Sequence, residues 1–279
     1  MMGKSHAMSG SAIALTGAAL SIGPIAVGQQ DLAVILLYTS VFIGGALWCD
    51  WDSNSATVVH AFGAFGKMIH ELVNAIGLFV YNLTKSKRDE VKNNGHRTFF
   101  HTPIAAILTG AIISGLVSIP GHVALWGKHF TIGQVIALFI MWAFLHVGVT
   151  AIFEKTVKKA KKRLGVYLIM AISLVVTGVV SFFLPENDQY WWLGLAAGGG
   201  MLVHILGDLP TKMGVPFLWP IKIRGKRWYD ISIPSFMRFK AGGSFEQAVL
   251  FPLFLVISCI SLALCIFPNL DQMITGWFH

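Results

Sequence analysis

Charge is what this sequence has least of. Asp, Glu, Lys and Arg make up 12% of its 279 residues, where a soluble domain carries about a quarter. That scarcity excludes an ordinary water-soluble globule. Cysteine is nearly missing too. Cys49, Cys259 and Cys265 form neither a disulfide framework nor a zinc-ligand spacing, and the last two read as packing inside spans. Linkers, low-complexity tracts and internal repeats are lacking, so residues 1–279 read as a single integral membrane domain. The first apolar run follows one lysine, Lys4, and has no small-residue cleavage site, which reads as an uncleaved anchor.

Long apolar runs take the place of charge, with 55% of residues hydrophobic. Candidate spans fall at about 7–28, 31–49, 103–120, 132–152, 164–184, 190–207 and 247–267, each near the length that crosses the hydrocarbon. The expected fold class is all-α, a polytopic membrane helical bundle of about seven spans. If the basic segment Glu154–Arg163 faces the cytoplasm, alternation of the spans puts 20 of the 21 Lys and Arg on that side, all but Lys128. The N-terminus is then inside and the C-terminus outside. The net charge of +8 thus serves topology and anionic lipid, not nucleic acid.

Residues 57–84 stand apart. Val58, Phe62, Phe65, Ile69, Leu72, Ile76, Phe79 and Leu83 recur at alternating steps of four and three, one face of a helix. His60, Lys67, Glu71 and Asn74 lie opposite, so the segment reads as one amphipathic helix at the cytoplasmic interface. Loop 209–246, rich in Pro, Gly, Trp and Arg, reads as a folded cytoplasmic cap at the headgroup level. Gly198–Gly200 reads as a close helix–helix contact.

The metal-capable residues follow this topology. His6 precedes the first span; Asp50 and Asp52, in "CDWDS", end the second; His96 and His101, in "GHRTFFHTP", precede the third. His204 and Asp208, in "HILGD", end the sixth, and Glu246 precedes the seventh. All eight fall at or near cytoplasmic helix ends. His204 and Asp208, at i and i+4, share a helix face, and the two aspartates would both meet a cation if their turn is extended. Thr102 and Pro103 read as the N-cap and first position of a helix, leaving His101 at its entrance. Singly, such pieces more often cap helices or make polar pairs. Together they favour a metal site, because ionisable groups beside spans are costly. Mixed imidazole and carboxylate ligands suit zinc or manganese, and two or more such ions would clamp a phosphate and activate water. Arg97 is a phosphate fork or a lipid-headgroup anchor. His146 reads as an interhelical hydrogen-bonding residue and His70 as facing headgroups. His122, His129 and His279 fall on the other side.

The order and spacing of early His6, "CDWDS", "GHRTFFHT", "HILGDLPT" and "GVPFLWP" resemble the YdjM-like, LexA-regulated membrane-bound metal-dependent hydrolases over nearly the whole chain. The resemblance implies a metal-dependent hydrolase in the bacterial inner membrane, with a divalent cation, zinc or manganese, as cofactor. Its ligands here would be His6, Asp50, Asp52, His96, His101, His204 and Asp208. The family pattern places His after the acidic turn, where this chain has Ser53, and reads His-Arg-Gly-x-Thr-His-Ser where this chain has Thr98, Phe100 and Thr102. His60 is a candidate substitute for the missing imidazole. The expected substrate is a phosphoester in a phospholipid or lipid-linked molecule. Arg97 and Lys212 would hold the phosphate, and Glu246 or Asp52 would act as base. Two rivals are a metal-ion or small-anion transporter, which should place its polar groups near mid-membrane, and a non-enzymatic membrane protein with a decayed site.

Overall fold

The computed structural model describes residues 1–20, 32–125, 127–153, 162–185 and 189–267. Among them are nine α-helices: α1 (Gly3–Ala19), α2 (Leu32–Trp48), α3 (Thr57–Ala61), α4 (Ala64–Thr84), α5 (Pro103–Val117), α6 (Ile132–Ile152), α7 (Lys162–Phe183), α8 (Trp192–Asp208) and α9 (Phe251–Ile266). Among the described residues, four stretches are long and apolar enough to cross a membrane: Leu32–Asp52, Ile132–Ile152, Leu164–Phe183 and Glu246–Ile266. The other three expected spans are represented by α1, α5 and α8, of 17, 15 and 17 residues. At 1.5 Å per residue they extend about 23–26 Å, short of a ~30 Å hydrocarbon core. The end of the 7–28 run, most of the basic segment Glu154–Arg163, and residues 268–279 lie outside the described residues.

The bundle is organised around α2. Of its apolar window 78% is buried by the rest of the chain, against 11% for Glu246–Ile266, so α2 is the hub and α9 the rim. Glycine sets how near α8 comes to that hub. A Cβ on Gly45 would lie 2.2 Å from the Ala197 carbonyl oxygen, and one on Gly200 2.1 Å from that of Phe42. Backbone meets backbone there, and no larger residue fits. The opposite side of α8 meets α5 in the same way, at Gly194 and Gly110. Buried Leu37, Val41, Met141, Leu193 and Ala196 fill the middle of the bundle. A second apolar cluster, with Leu47, Val59, Phe100, Met201 and Ile205, lies toward the ends that carry the polar residues.

Helix entrances follow local chemistry. The Thr102 hydroxyl accepts the Ala105 N–H at 3.2 Å, with Pro103 following as first helical residue, and Thr131 with Gln134 forms a capping box at α6. Two expectations are corrected. The amphipathic segment is two helices, because Gly63 takes φ +60°, ψ −126° and breaks the run between α3 and α4. A two-stranded antiparallel hairpin, His122–Leu125 with Lys128–Thr131, precedes α6.

The α4 stripe of Phe65, Leu72, Ile76, Phe79 and Leu83 is exposed, while Gly66, Val73, Gly77 and Tyr81 face the protein. That is the disposition of an interfacial helix. The cap segment 209–246 is tied down at Asp89. Its carboxylate accepts N–H bonds from Ser86 (2.6 Å), Trp228 (3.0 Å) and Arg227 (3.2 Å).

Candidate metal centre

Four parts of the chain carry side chains to one buried point. From α8, His204 and Asp208 emerge one turn apart. His6 arrives from α1 and lies flat on His204, ring centroids 3.7 Å apart at 14°. The α2 helix runs on into a 3-10 turn, Cys49–Asp52, and a second 3-10 turn, Phe99–His101, leads into α5.

Asp208 is the focus. One of its oxygens lies 3.3 Å from His6 Nε2 and also meets the α-amino group of Met1. The other lies 2.8 Å from Arg97 Nη2 and 3.8 Å from the Nε2 atoms of both His101 and His204. Asp52 is a second focus: His96 Nδ1 at 2.8 Å, the Arg97 backbone N–H at 3.0 Å and His101 Nδ1 at 3.1 Å. His101 therefore bridges the two carboxylates, one ring nitrogen toward each. Burial alone would pull its basicity down, but Asp52, joined by Asp208, holds it above the ordinary imidazole value. The two aspartates of the acidic turn diverge, because the turn is 3-10 and not extended. Asp50 faces His204, Nε2 to Oδ1 3.9 Å.

The donor set fits a cation. His204 Nδ1–H donates to the Ala46 carbonyl at 2.7 Å, which fixes the tautomer and leaves the Nε2 lone pair facing the carboxylates. That atom, His6 Nδ1 and His101 Nε2 are buried without a hydrogen-bond partner among the described residues, while His6 Nε2 and His101 Nδ1 face only the carboxylates of Asp208 and Asp52. Each such group costs about 1–3 kcal/mol when left unsatisfied. Ligand atoms of His6, His204 and Asp208 lie within 4.8 Å of one another, close enough to share one ion.

Arg97 reaches this point through a left-handed backbone, φ 51°, which costs a residue with a Cβ about 1–2 kcal/mol. The bond from its own N–H to Asp52 and those from Nη1 to Gly214 O (2.9 Å) and Thr211 Oγ1 (3.3 Å) offset that strain. Its Nε–H is buried without a partner among the described residues.

Three expected site residues stand elsewhere. Glu246, in a π-helical turn before α9, is buried with both oxygens taken: Met2 N–H at 2.7 Å and Gly242 N–H at 2.8 Å. Lys212 is exposed. His60 is exposed on α3 and lines a separate cavity with Phe65, Tyr167 and Met170. His146 is the expected interhelical residue, donating Nε2–H to the Ala61 carbonyl at 3.0 Å.

Sequence reading missed the scaffold behind the ligands. His70 does not face headgroups; its Nδ1–H donates to the Trp51 carbonyl at 2.7 Å and props the acidic turn. Asn74, one turn further along α4, accepts the Gly95 N–H at 2.5 Å, and Gly77 makes room for Thr98. The Cys49 thiol donates to the Phe100 carbonyl at 3.0 Å and joins the two turns. The one available signal was the polar face of the amphipathic segment, which holds Asn74.

The model of the YdjM inner membrane protein family matches residues 1–269. The chain belongs to the YdjM family. Neither a curated protein nor a solved structure matches it. In this YdjM protein the departures from the expected motif are accommodated locally. Thr98 donates its hydroxyl to the Gly95 carbonyl and is buried against Gly77. Phe100 is buried and supplies the carbonyl that Cys49 uses. Ser53 closes the acidic turn with its N–H on Asp50 O at 3.0 Å.

Proposed function

We propose that this YdjM protein is a membrane-embedded, metal-dependent hydrolase of a phosphoester carried by a phospholipid or lipid-linked substrate. Its site would lie at the cytoplasmic face, the N-terminus inside and the C-terminus outside. The observation that supports the reading is the fixed tautomer of His204, whose free lone pair faces a buried set of imidazoles and carboxylates. His6, His204 and Asp208 would hold the ion, with His101 directed at the same carboxylate. A bound divalent cation supplies Lewis-acid polarisation of a phosphoryl oxygen and acidifies water; the imidazole and carboxylate donors suit zinc or manganese.

The remaining roles belong to the chain. Asp52 orients His101 and His96. Arg97, with an unpaired N–H beside Asp208, is the group for a phosphate oxygen. Asp50 is the most open of the three carboxylates, its side chain 16% exposed against 0% for Asp52 and 3% for Asp208. We assign the proton-accepting role to it in place of Glu246, whose oxygens are both engaged. The clustering of these groups at helix ends, away from mid-span, favours hydrolysis over transport.

The test uses detergent-solubilised protein. It should hydrolyse a phosphoester, lose that activity to chelator and regain it with zinc or manganese, and a His204→Ala variant should lose both metal and turnover. Retained metal, no hydrolysis and metal-ion uptake into vesicles would instead establish a transporter. For orientation, a reporter within Lys155–Arg163 should be active only when inside, and one after His279 only when outside.

A further inference from the structure

Between α1, α8, α9 and the cap segment runs a groove of about 430 Å3, whose walls include Ile13, Leu206, Phe245 and Phe254. Its volume is within the range of ligand sites, and its lining is hydrocarbon over most of its length. What distinguishes it from other crevices on an apolar bundle is what it adjoins. Met1 and Gly207 are part of its lining, and both touch the metal centre: the Met1 α-amino group meets Asp208, and a Cβ on Gly207 would lie 3.4 Å from the His6 ring. Its lining also follows α1 from Ser9 to Ile13 and reaches Phe254 on α9. Ile13 is seven residues beyond His6 on α1, a distance of about 10 Å along the axis. One wall is α9, within the most lipid-exposed of the four candidate spans.

We infer that this groove holds a hydrocarbon chain of the substrate, with the chain running along the spans into the bilayer and the phosphoester at the His6–His204–Asp208 end. The inference rests on the hydrolase reading and narrows it: the substrate is a lipid processed without leaving the membrane, and the length of its chain contributes to recognition. A lipid tail in a leaflet already lies alongside the spans, so binding needs sideways entry between α8 and α9, since α1 and α9 are packed on each other, and no extraction into water. Burying methylenes in the groove would favour long-chain over short-chain substrates.

Two measurements on the full chain test this. In the first, the protein is reconstituted in vesicles containing a phospholipid with a diazirine near the end of one acyl chain, and irradiated. Adducts should concentrate on peptides carrying Ile13, Leu206 or Phe254, and should fall in Ile13→Trp. Adducts spread evenly over the exposed faces of α4 and α7 would overturn the groove.

In the second, hydrolysis of a long-chain phospholipid is compared with that of a water-soluble aryl phosphoester. Ile13→Trp should lower the ratio of their kcat/KM values by about tenfold or more. Leu255→Trp, on α9 outside the groove, should leave the ratio as in the wild type. An unchanged ratio in Ile13→Trp refutes the proposal while the hydrolase reading stands. If neither substrate is hydrolysed, the hydrolase reading and the substrate role fall together, and the adduct pattern alone decides whether the groove binds a lipid chain.

Discussion

His204 and Asp208 ride on one long helix and meet His6 from another, whereas Asp52, His96, Arg97 and His101 come from two short turns that a third element, α4, holds in place. In the first half, position is set by backbone packing along the α2–α8 seam. In the second, it depends on single hydrogen bonds, from His70 to Trp51, from Gly95 to Asn74 and from Cys49 to Phe100, each worth about 1 kcal/mol. In the proposed reading the helix-borne half holds an ion, and the turn-borne half aims the groups around it. Arg97 shows the cost of the second arrangement, since its left-handed backbone persists only because three of its groups are bonded at once.

The comparison breaks most clearly at Asp208. Asp208→Asn should lower metal affinity by more than about 100-fold, beyond the range seen for outer partners, as measured by metal content after dialysis. Asp52→Asn, in the other half, should cost about 10–100-fold, and excess metal should restore activity because the ligands remain. Equal losses in the two variants would erase the distinction between holding and aiming.

Asn74→Ala removes one scaffold bond. It should lower unfolding stability by about 1 kcal/mol and turnover by a few-fold, with metal content unchanged; loss of metal would make α4 part of the holding half. The smallest effect belongs to the cap. Burial pushes Asp89 up, but N–H bonds from Ser86, Trp228 and Arg227 outweigh it and hold the carboxyl below its ordinary value. A lowered folded value means that its contribution is complete above the unfolded value near ~4 and is lost as pH falls through the folded one. Amide exchange across residues 225–230 should therefore quicken only below about pH 4, and Asp89→Asn should remove that step.

Much of the helical architecture was legible. Thr102 and Pro103 announce α5, the i, i+4 spacing pairs His204 with Asp208, and the glycine run marks the close approach of α8 to α2. These signals are local, or need only a helix period. The break at Gly63 was not legible, since glycine is tolerated inside a helical pattern and only the tertiary position of α3 requires its positive φ. Charge distribution gathered the candidate ligands at one set of helix ends but carried no information on which oxygen meets which donor. Glu246 illustrates that limit: it sits among the candidate groups in sequence order, yet backbone amides from Met2 and Gly242 occupy its carboxylate. Asn74 lay on a polar face that solvent would explain equally well, His70 read as facing headgroups, and nothing marked Cys49, whose acceptor lies 51 residues away in another turn.

The seam of Gly45 and Gly200 acts as a gauge block. His204 follows Gly200 by one helical turn, and the carbonyl that orients its ring belongs to Ala46, next to Gly45. The gap between the histidine and the acidic turn is therefore referenced to peptide atoms in contact, with no side-chain rotamer in the chain of dimensions. Side chains elsewhere in the bundle can repack as the surrounding lipid changes thickness or order, and α2 and α8 will tilt together without altering that spacing. A methyl group added at either glycine would act as a shim, widening the site from outside it while leaving every ligand in the sequence.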